Sequence, residues 1–384
     1  MKYAITNPSF NEEELMRVSK VLQSGWVTQG PECGLFEDIF AARHQVEHAL
    51  ATTSCTAALH LATMALELGP GDEVIVPALT WVTSAHSVEY VGAKAVFTDV
   101  DLETFNLDPR LLEKALTPRT KAIMAVHLFG LAADMEPILR FAADNNLRVI
   151  EDAACAIGTS YGEQPVGGLG TIGCFSFHPR KAITTGEGGM VTTKDELLAN
   201  RVASLRNHGA SPFLHDESSE TRSKPWHMAP FDLLGYNLRL SDIQAAVGVA
   251  QMEKLDAILT ERKRIAVRYH EMLGEVDELA LPLEPEGCGH TYQSYVVRLR
   301  SGDRERRNKA MEHMAEKGIQ TRPGTHAVHR LGYYREKYGL RPEEFPNACL
   351  GEDATITLPN FPGMSEEDQG FIVQAFAEGL RARG

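Results

Sequence analysis

Residues 47–78, EHALATTSCTAALHLATMALELGPGDEVIVPA, read as a strand, a helix and a second strand. EHALATT and DEVIVPA are short apolar runs, whereas TAALHLATMALELG between them repeats its apolar residues at helical spacing. The alternation continues through AKAVFTDV, KAIMAVHLFG, LRVIEDAA, IGCFSFH and GGMVTT to residue 193, with DMEPILRFAADNN as another helical segment. The pattern predicts an α/β domain whose central sheet is mostly parallel and flanked by helices. Ligands of such sheets gather beyond the carboxyl ends of the strands. The residues that follow each strand are therefore the site candidates.

Downstream the pattern changes. The polar stretch from Asn207 to Met228 reads as an exposed excursion, either a substrate-contacting loop or a plain solvated one. Ser241 and Gln244 are spaced as a capping box before a long amphipathic helix, of the kind that links a large domain to a smaller one. TYQSYVVRLR is strand-like, RERRNKAMEHMAEKG helix-like, and a terminal helix is predicted from Ser365. The predicted division is residues 1–255, an N-terminal segment with the large α/β domain, and 256–384, a small C-terminal α+β domain.

With 384 residues and 43% hydrophobic composition, the chain can bury one large core or two moderate ones. Its 38 basic and 52 acidic side chains give a net charge of −14, which argues against nucleic acid as a partner, because phosphate backbones need a dense basic surface. The six cysteines, Cys33, Cys55, Cys155, Cys174, Cys288 and Cys349, are scattered, so neither a metal site nor a disulfide framework is indicated, and they fit a reducing compartment. No apolar leader and no membrane-length apolar run is present, so a cytoplasmic protein without membrane contact is expected.

Three strand ends carry chemistry. After EHALATT, the hydroxyls of Ser54 and Thr56 and the backbone N–H groups of a helix starting near Cys55 suit a phosphate, although Ser54 could equally be a simple N-cap. After LRVIE, Asp152 can pair with a protonated ring nitrogen or cap a helix. Lys181, in FHPRKAITTGEGG, sits before a glycine-rich turn, where an amine can attack a carbonyl carbon if it sheds its proton. Each is weak alone. Together they match the needs of pyridoxal phosphate: an anion site, a partner for the pyridine nitrogen and an amine for the aldehyde. Trp81 in VPALTWVTSA is the candidate to cover the ring, with core packing as the alternative.

SGWVTQGPECGLFEDIFA, TTSCTAALHLA, GDEVIVPALTWVTSA, IEDAACAIG, FSFHPRKAITTGEGGMVTT and LGYNLRLSDIQAAVGVAQMEKLD resemble, in order, the DegT/DnrJ/EryC1/StrS sugar aminotransferases. That family has the fold-type I architecture of pyridoxal-phosphate enzymes. The resemblance implies that Lys181 bonds the cofactor and shuttles protons, that Asp152 keeps the ring nitrogen protonated and that Trp81 stacks on the ring. It also assigns the phosphate to Ser54, Cys55, Thr56 and Ser176. Asn237 would reach the phosphate of the neighbouring subunit in a homodimer, and Thr28 and His326 would meet the sugar substrate. Cys155 stands where family members often carry Gln or His against the cofactor's phenolic oxygen, and a thiol is the weaker hydrogen-bond partner. Phe129, Leu131 and Ala132 likewise replace a more polar pattern.

The implied activity is a ping-pong transamination. An amino acid, by family analogy L-glutamate, converts the cofactor to pyridoxamine phosphate, which aminates the keto carbon of a nucleotide-linked 4-keto-6-deoxy sugar. Amination of a keto-cyclitol and a dehydrating reaction on the same cofactor are the alternatives within the family. A non-catalytic relative would be expected to have lost Lys181, Asp152 or the phosphate-binding hydroxyls.

Overall fold

The computed structural model describes residues 2–210 and 229–381. Residues 211–228, most of the predicted polar excursion, lie outside the described residues. The central sheet has seven strands: β1 (His48–Thr52), β2 (Glu73–Pro77), β3 (Lys94–Thr98), β4 (Thr120–Val126), β5 (Arg148–Asp152), β6 (Ile172–Ser176) and β7 (Gly189–Thr193). Their order across the sheet is β1-β7-β6-β5-β4-β2-β3. Pairings from β6 to β3 are parallel, while β7 runs antiparallel to both β6 and β1. All seven strands fall on the alternating runs of the sequence.

The sheet is buried on both faces, and the period of two shows it. Val74, Val76, Met124 and Ile150 join one apolar cluster, whereas Ile75, Ile123, Ala125 and Val149 join another on the opposite side. Strands covered on both sides read as continuous apolar runs, as EVIVP does. Helices cover both faces, among them Cys55–Ala65, Thr83–Tyr90 and Met135–Asp144.

The predicted long helix from Ser241 is two helices, Asp242–Glu253 and Leu255–Leu273. At Lys254 the backbone opens to φ −99°, and its N–H closes on the Gln251 carbonyl three residues back, at 3.2 Å. Its ammonium is drawn to the Ser9 carbonyl and Glu14. The turn of direction lets the second helix serve two cores: Leu255 and Ile258 pack with the large sheet, Ile265, Ala266 and Tyr269 with a second, three-stranded antiparallel sheet. The Ser241 hydroxyl accepts the Gln244 N–H but donates to the Gln244 side chain, whose amide in turn holds the Glu187 carbonyl. The expected reciprocal box is thus opened toward the Lys181 loop.

The second sheet comprises Leu279–Ala280, Tyr295–Leu299 and Thr355–Leu358, with helices Arg304–Glu316 and Glu366–Arg381 packed together beside it. Two strands of chain cross between the bodies. His326–Ala327 pairs with Leu79–Thr80 after β2, and Tyr3, from the N-terminus, buries in the second core and bridges Ile319. No described helix is long and apolar enough to cross a membrane.

Candidate active site

Strand register brings the candidates together. Val126 ends β4 opposite Asp152, Asp152 ends β5 opposite Cys174, and Ser176 ends β6 opposite Gly189. These ends floor a cavity of about 420 Å³, within the range of roughly 300–1,000 Å³ usual for small-ligand sites. Ser54, Cys55, Thr56, Trp81, Asp152, Cys155, Ser176 and Lys181 all line it. Asn237, Thr28 and His326 do not.

Asp152 is buried, and its carboxylate is fixed from two sides. Ser84 Oγ donates to Oδ2 at 2.6 Å, and the Ala154 N–H to Oδ1 at 3.1 Å. Ser84 also meets Thr80 Oγ1 at 2.8 Å, so the first turn after Trp81 carries the acid's support. Beneath lies a wholly buried pair, His127 and Glu151, at 3.0 Å. The Ala133 N–H donates to His127 Nδ1, which leaves the ring proton on Nε2 facing Glu151. Burial works to raise the Glu151 pKa, but the His127 contact and the amides of Gly170 and Gly167 outweigh it and hold it below the ordinary 4.5.

Lys181 lies between β6 and β7 on a loop closed by its own N–H to the His178 carbonyl at 2.8 Å. Its Nζ stands 3.1 Å from Cys155 Sγ. The following TTGEGG turns through Gly186 at φ +81°, a conformation that favours glycine. His178 shares the cavity, and burial, reinforced by Lys181 and Arg180 against Glu187, lowers its pKa below the usual range.

At the start of the Cys55–Ala65 helix, the Ser54 hydroxyl accepts the Ala57 N–H at 3.1 Å, so the N-cap reading of Ser54 is correct. The Ala58 amide takes the Ser54 carbonyl. The Cys55 and Thr56 amides have no intrahelical acceptor, as in any first turn, and both residues line the cavity. Gly189 makes the cradle possible: a Cβ there would sit 2.5 Å from the Ser54 carbonyl oxygen.

Trp81 is 55% exposed, which excludes core packing. Its ring centroid is 5.6 Å from that of His326, which thus stands at the rim behind the tryptophan, with Nδ1 3.5 Å from Glu352. Asn237 is exposed and bridges Asn207, and Thr28 is exposed with its carbonyl accepting the Asp242 N–H. Of the atypical residues, Phe129 and Cys155 line the cavity, Phe129 with φ +59°. Leu131 and Ala132 instead turn into the core, their carbonyls held by Asn106 Nδ2.

The free helix-terminal amides, a buried carboxylate, a reachable amine and an exposed indole fit a phosphorylated pyridine aldehyde. A model of the DegT/DnrJ/EryC1/StrS aminotransferase family matches residues 8–377. The chain belongs to this family. It is 38% identical to the spore coat polysaccharide biosynthesis protein SpsC of Bacillus subtilis, over 96% of this chain and 94% of that protein. It is also 38% identical to the GDP-perosamine synthase of Caulobacter vibrioides, over 99% and 98% respectively. Spr1654 of Streptococcus pneumoniae, solved in its PMP form, superposes with a TM-score of 0.90 at 28% identity, covering 97% of this chain and 98% of that one. The same protein is also solved in its PLP form.

Within this DegT-family cavity, several lining residues escape a strand-by-strand reading. Ser84, which holds Asp152 without itself lining the cavity, is recognisable only as one helical turn past Trp81. Ile5 and Thr6 come from the N-terminal segment and Gln293, Arg322, Thr357 and Asn360 from the C-terminal part of the chain, outside the strands of the large sheet.

Proposed function

We propose that this aminotransferase uses pyridoxal phosphate to move an amino group from L-glutamate to the keto carbon of a nucleotide-linked 4-keto-6-deoxy sugar. The observation that carries the proposal is the convergence of Lys181, Asp152 and the Ser54–Thr56 helix start on one cavity. The relatives named for perosamine and spore-coat polysaccharide synthesis support a sugar acceptor. Bound cofactor supplies an aldehyde that exchanges amino for oxo groups and a ring that stores the electron pair of a broken C–H bond.

The side chains then divide the work. Asp152 would hold a proton on the ring nitrogen, and Ser84 with the Ala154 amide keeps the carboxylate aimed. Lys181 Nζ, in the same cavity, would carry the proton to and from the substrate carbon as a general acid–base. The amides of Cys55 and Thr56, with the hydroxyls of Ser54 and Ser176, would bind the phosphate, and Trp81 would cover the ring. The thiol of Cys155 would be a weak hydrogen-bond partner for the phenolic oxygen.

We further propose a homodimer in which Asn237 completes the neighbouring site. Phe231, Leu234 and Tyr236, exposed by 60%, 88% and 44%, surround it with an apolar surface that a partner would cover. Thr28 and His326 are assigned to the sugar nucleotide at the rim. Six free cysteines accord with a cytoplasmic setting.

The test is a half-reaction. Holoenzyme mixed with L-glutamate should release 2-oxoglutarate, and mass spectrometry with a panel of nucleotide-linked keto-sugars should show the aminated product. Amination of a keto-cyclitol alone would change the acceptor class. Loss of water from a sugar with no oxo acid formed would replace transfer by dehydration.

A further inference from the structure

One wall of the cavity belongs to the second sheet and the N-terminus, and three of its buried polar atoms lack partners among the described residues. Arg322 lines the cavity and makes no ion pair among the described residues; a single guanidinium nitrogen donates to the Gly324 carbonyl at 3.0 Å. The hydroxyl of Thr357 is buried with no hydrogen-bond partner among the described residues, as is that of Thr6. Thr357 is 2% exposed, and its N–H holds the Arg322 carbonyl at 2.8 Å, so the two residues are adjacent across a backbone bridge. A buried hydroxyl without a partner costs about 1–3 kcal/mol, and an unpaired half-buried arginine adds to that. Groups of this kind persist where a ligand satisfies them.

The strap that delivers Thr6 is tied to the same wall. Tyr3 bridges Ile319, Gln320 N–H donates to the Tyr3 carbonyl at 2.8 Å, and Ile5 N–H donates to Gln320 Oε1 at 3.0 Å. Residues 2–5 therefore extend the edge that leads into Arg322. Beyond the strap, the Ser9 carbonyl is held by Gln251 and Lys254 of the large body. Thr6 is thus suspended over the cavity between two anchored ends.

We propose that Arg322, Thr357 and Thr6 form the subsite for the α-carboxylate of the amino donor and of the oxo acid it becomes, with the N-terminal strap closing it. All three line one cavity and offer donors, one of them a cation, which selects an anion. Asn360 Oδ1 is also buried without a partner in this wall, but as an acceptor it suits an N–H or O–H of the ligand and takes no part in binding the carboxylate. Position decides between anions. Arg322 lines the same cavity as Lys181 and as Cys155, whose thiol touches the Lys181 amine. The carboxylate of an amino acid is one bond from the carbon that Lys181 must serve. The diphosphate of a nucleotide sugar is separated from a C4 keto carbon by the whole ring.

That the acid is an amino donor rests on the function proposed above, so the test reads binding separately from transfer. Arg322→Gln, Thr357→Val and Thr6→Val, the last two nearly isosteric, are compared with wild type in two measurements. In the first, calorimetry follows 2-oxoglutarate binding to cofactor-free protein. In the second, KM for L-glutamate and for the sugar nucleotide is measured on holoenzyme. Arg322→Gln should weaken 2-oxoglutarate binding and raise the glutamate KM by about ten- to a hundredfold, and each Thr→Val by about three- to tenfold, the loss expected of charged and neutral hydrogen bonds. The sugar-nucleotide KM should stay within about twofold. Unchanged 2-oxoglutarate binding in Arg322→Gln and Thr6→Val overturns the subsite, as does an equal rise in both KM values. If wild type transfers no amino group from glutamate, the function proposed above fails, while loss of 2-oxoglutarate binding in the variants still upholds the carboxylate subsite.

Discussion

Ser84 Oγ donates a 2.6 Å hydrogen bond to Asp152 Oδ2, and both groups are buried where β5 ends. A serine one turn into a helix thereby sets the aim of a carboxylate 68 residues away in sequence. Hydrogen bonds to charged groups are worth about 1.5–3 kcal/mol. Ser84→Ala should therefore lower kcat by roughly ten- to a hundredfold and lower Tm by a few degrees, measured by turnover and thermal melts. Unaltered kcat would remove Ser84 from the site.

Among the described residues the Lys181 amine has no acidic partner and meets the Cys155 thiol at 3.1 Å. Lys181→Ala should cost at least about 10²–10⁴-fold in turnover, the usual worth of a positioned acid–base group. Borohydride treatment of wild-type holoenzyme should fix the cofactor to the peptide 174–193, and the variant should remain unlabelled. Labelling elsewhere in the chain would move the amine to another lysine.

Seven strands, and Ser54, Thr56, Trp81, Asp152 and Lys181 beyond their ends, were legible because a buried, mostly parallel sheet demands continuous apolar runs and turns its ligands toward their carboxyl ends. Asp152 and Lys181 were visible on that ground before any geometry. Lys254 was not, since the break of the helix depends on a tertiary pull by Glu14 and Ser9 that no local periodicity records. Thr6 and Arg322 were hidden for the same reason: their role arises from a strap and a second sheet that meet only in the folded chain. His326 was placed near the sugar by resemblance, and its ring stands behind Trp81 at the rim of the cavity.

The buried His127–Glu151 pair should govern acid stability. Glu151 is held below its ordinary value of 4.5 in the folded chain, so its contribution is present in full above that pH and is lost as pH falls through the depressed folded value. With Nδ1 accepting the Ala133 N–H, His127 donates from Nε2 to the Glu151 carboxylate, and a hydrogen bond to a charged group is worth about 1.5–3 kcal/mol. Glu151→Gln should lower stability by that order at neutral pH and flatten the acid side of the stability curve below about pH 4.5, read by denaturant unfolding across pH. An unchanged slope would show that other carboxylates control the acid limb.

Gly189 packs so closely on the helix start that a Cβ would lie 2.5 Å from Ser54 C and O and 2.6 Å from the Cys55 N. These are backbone atoms and cannot rotate away. Gly189→Ala should displace the Cys55 and Thr56 amides and weaken cofactor binding at least about tenfold, by the loss of one or more charged hydrogen bonds. Equilibrium dialysis against pyridoxal phosphate measures it, and full affinity in the variant would place the phosphate elsewhere.

Asn237 is exposed beside Phe231, Leu234 and Tyr236, yet stays outside the cavity of its own chain. If it serves the neighbouring subunit, two inactive variants should repair one another. Asn237→Ala and Lys181→Ala are each expected to be nearly inert alone. Unfolded together and refolded as a mixture, they form heterodimers in which one site has Lys181 from one chain and Asn237 from the other, and turnover should return. Leu234→Asp, at a side chain 88% exposed, should prevent that recovery by adding a charge to the apolar surface between subunits, with sedimentation showing monomers. Recovery that fails in the mixture while dimers form would confine Asn237 to its own chain and leave each site complete within a single subunit.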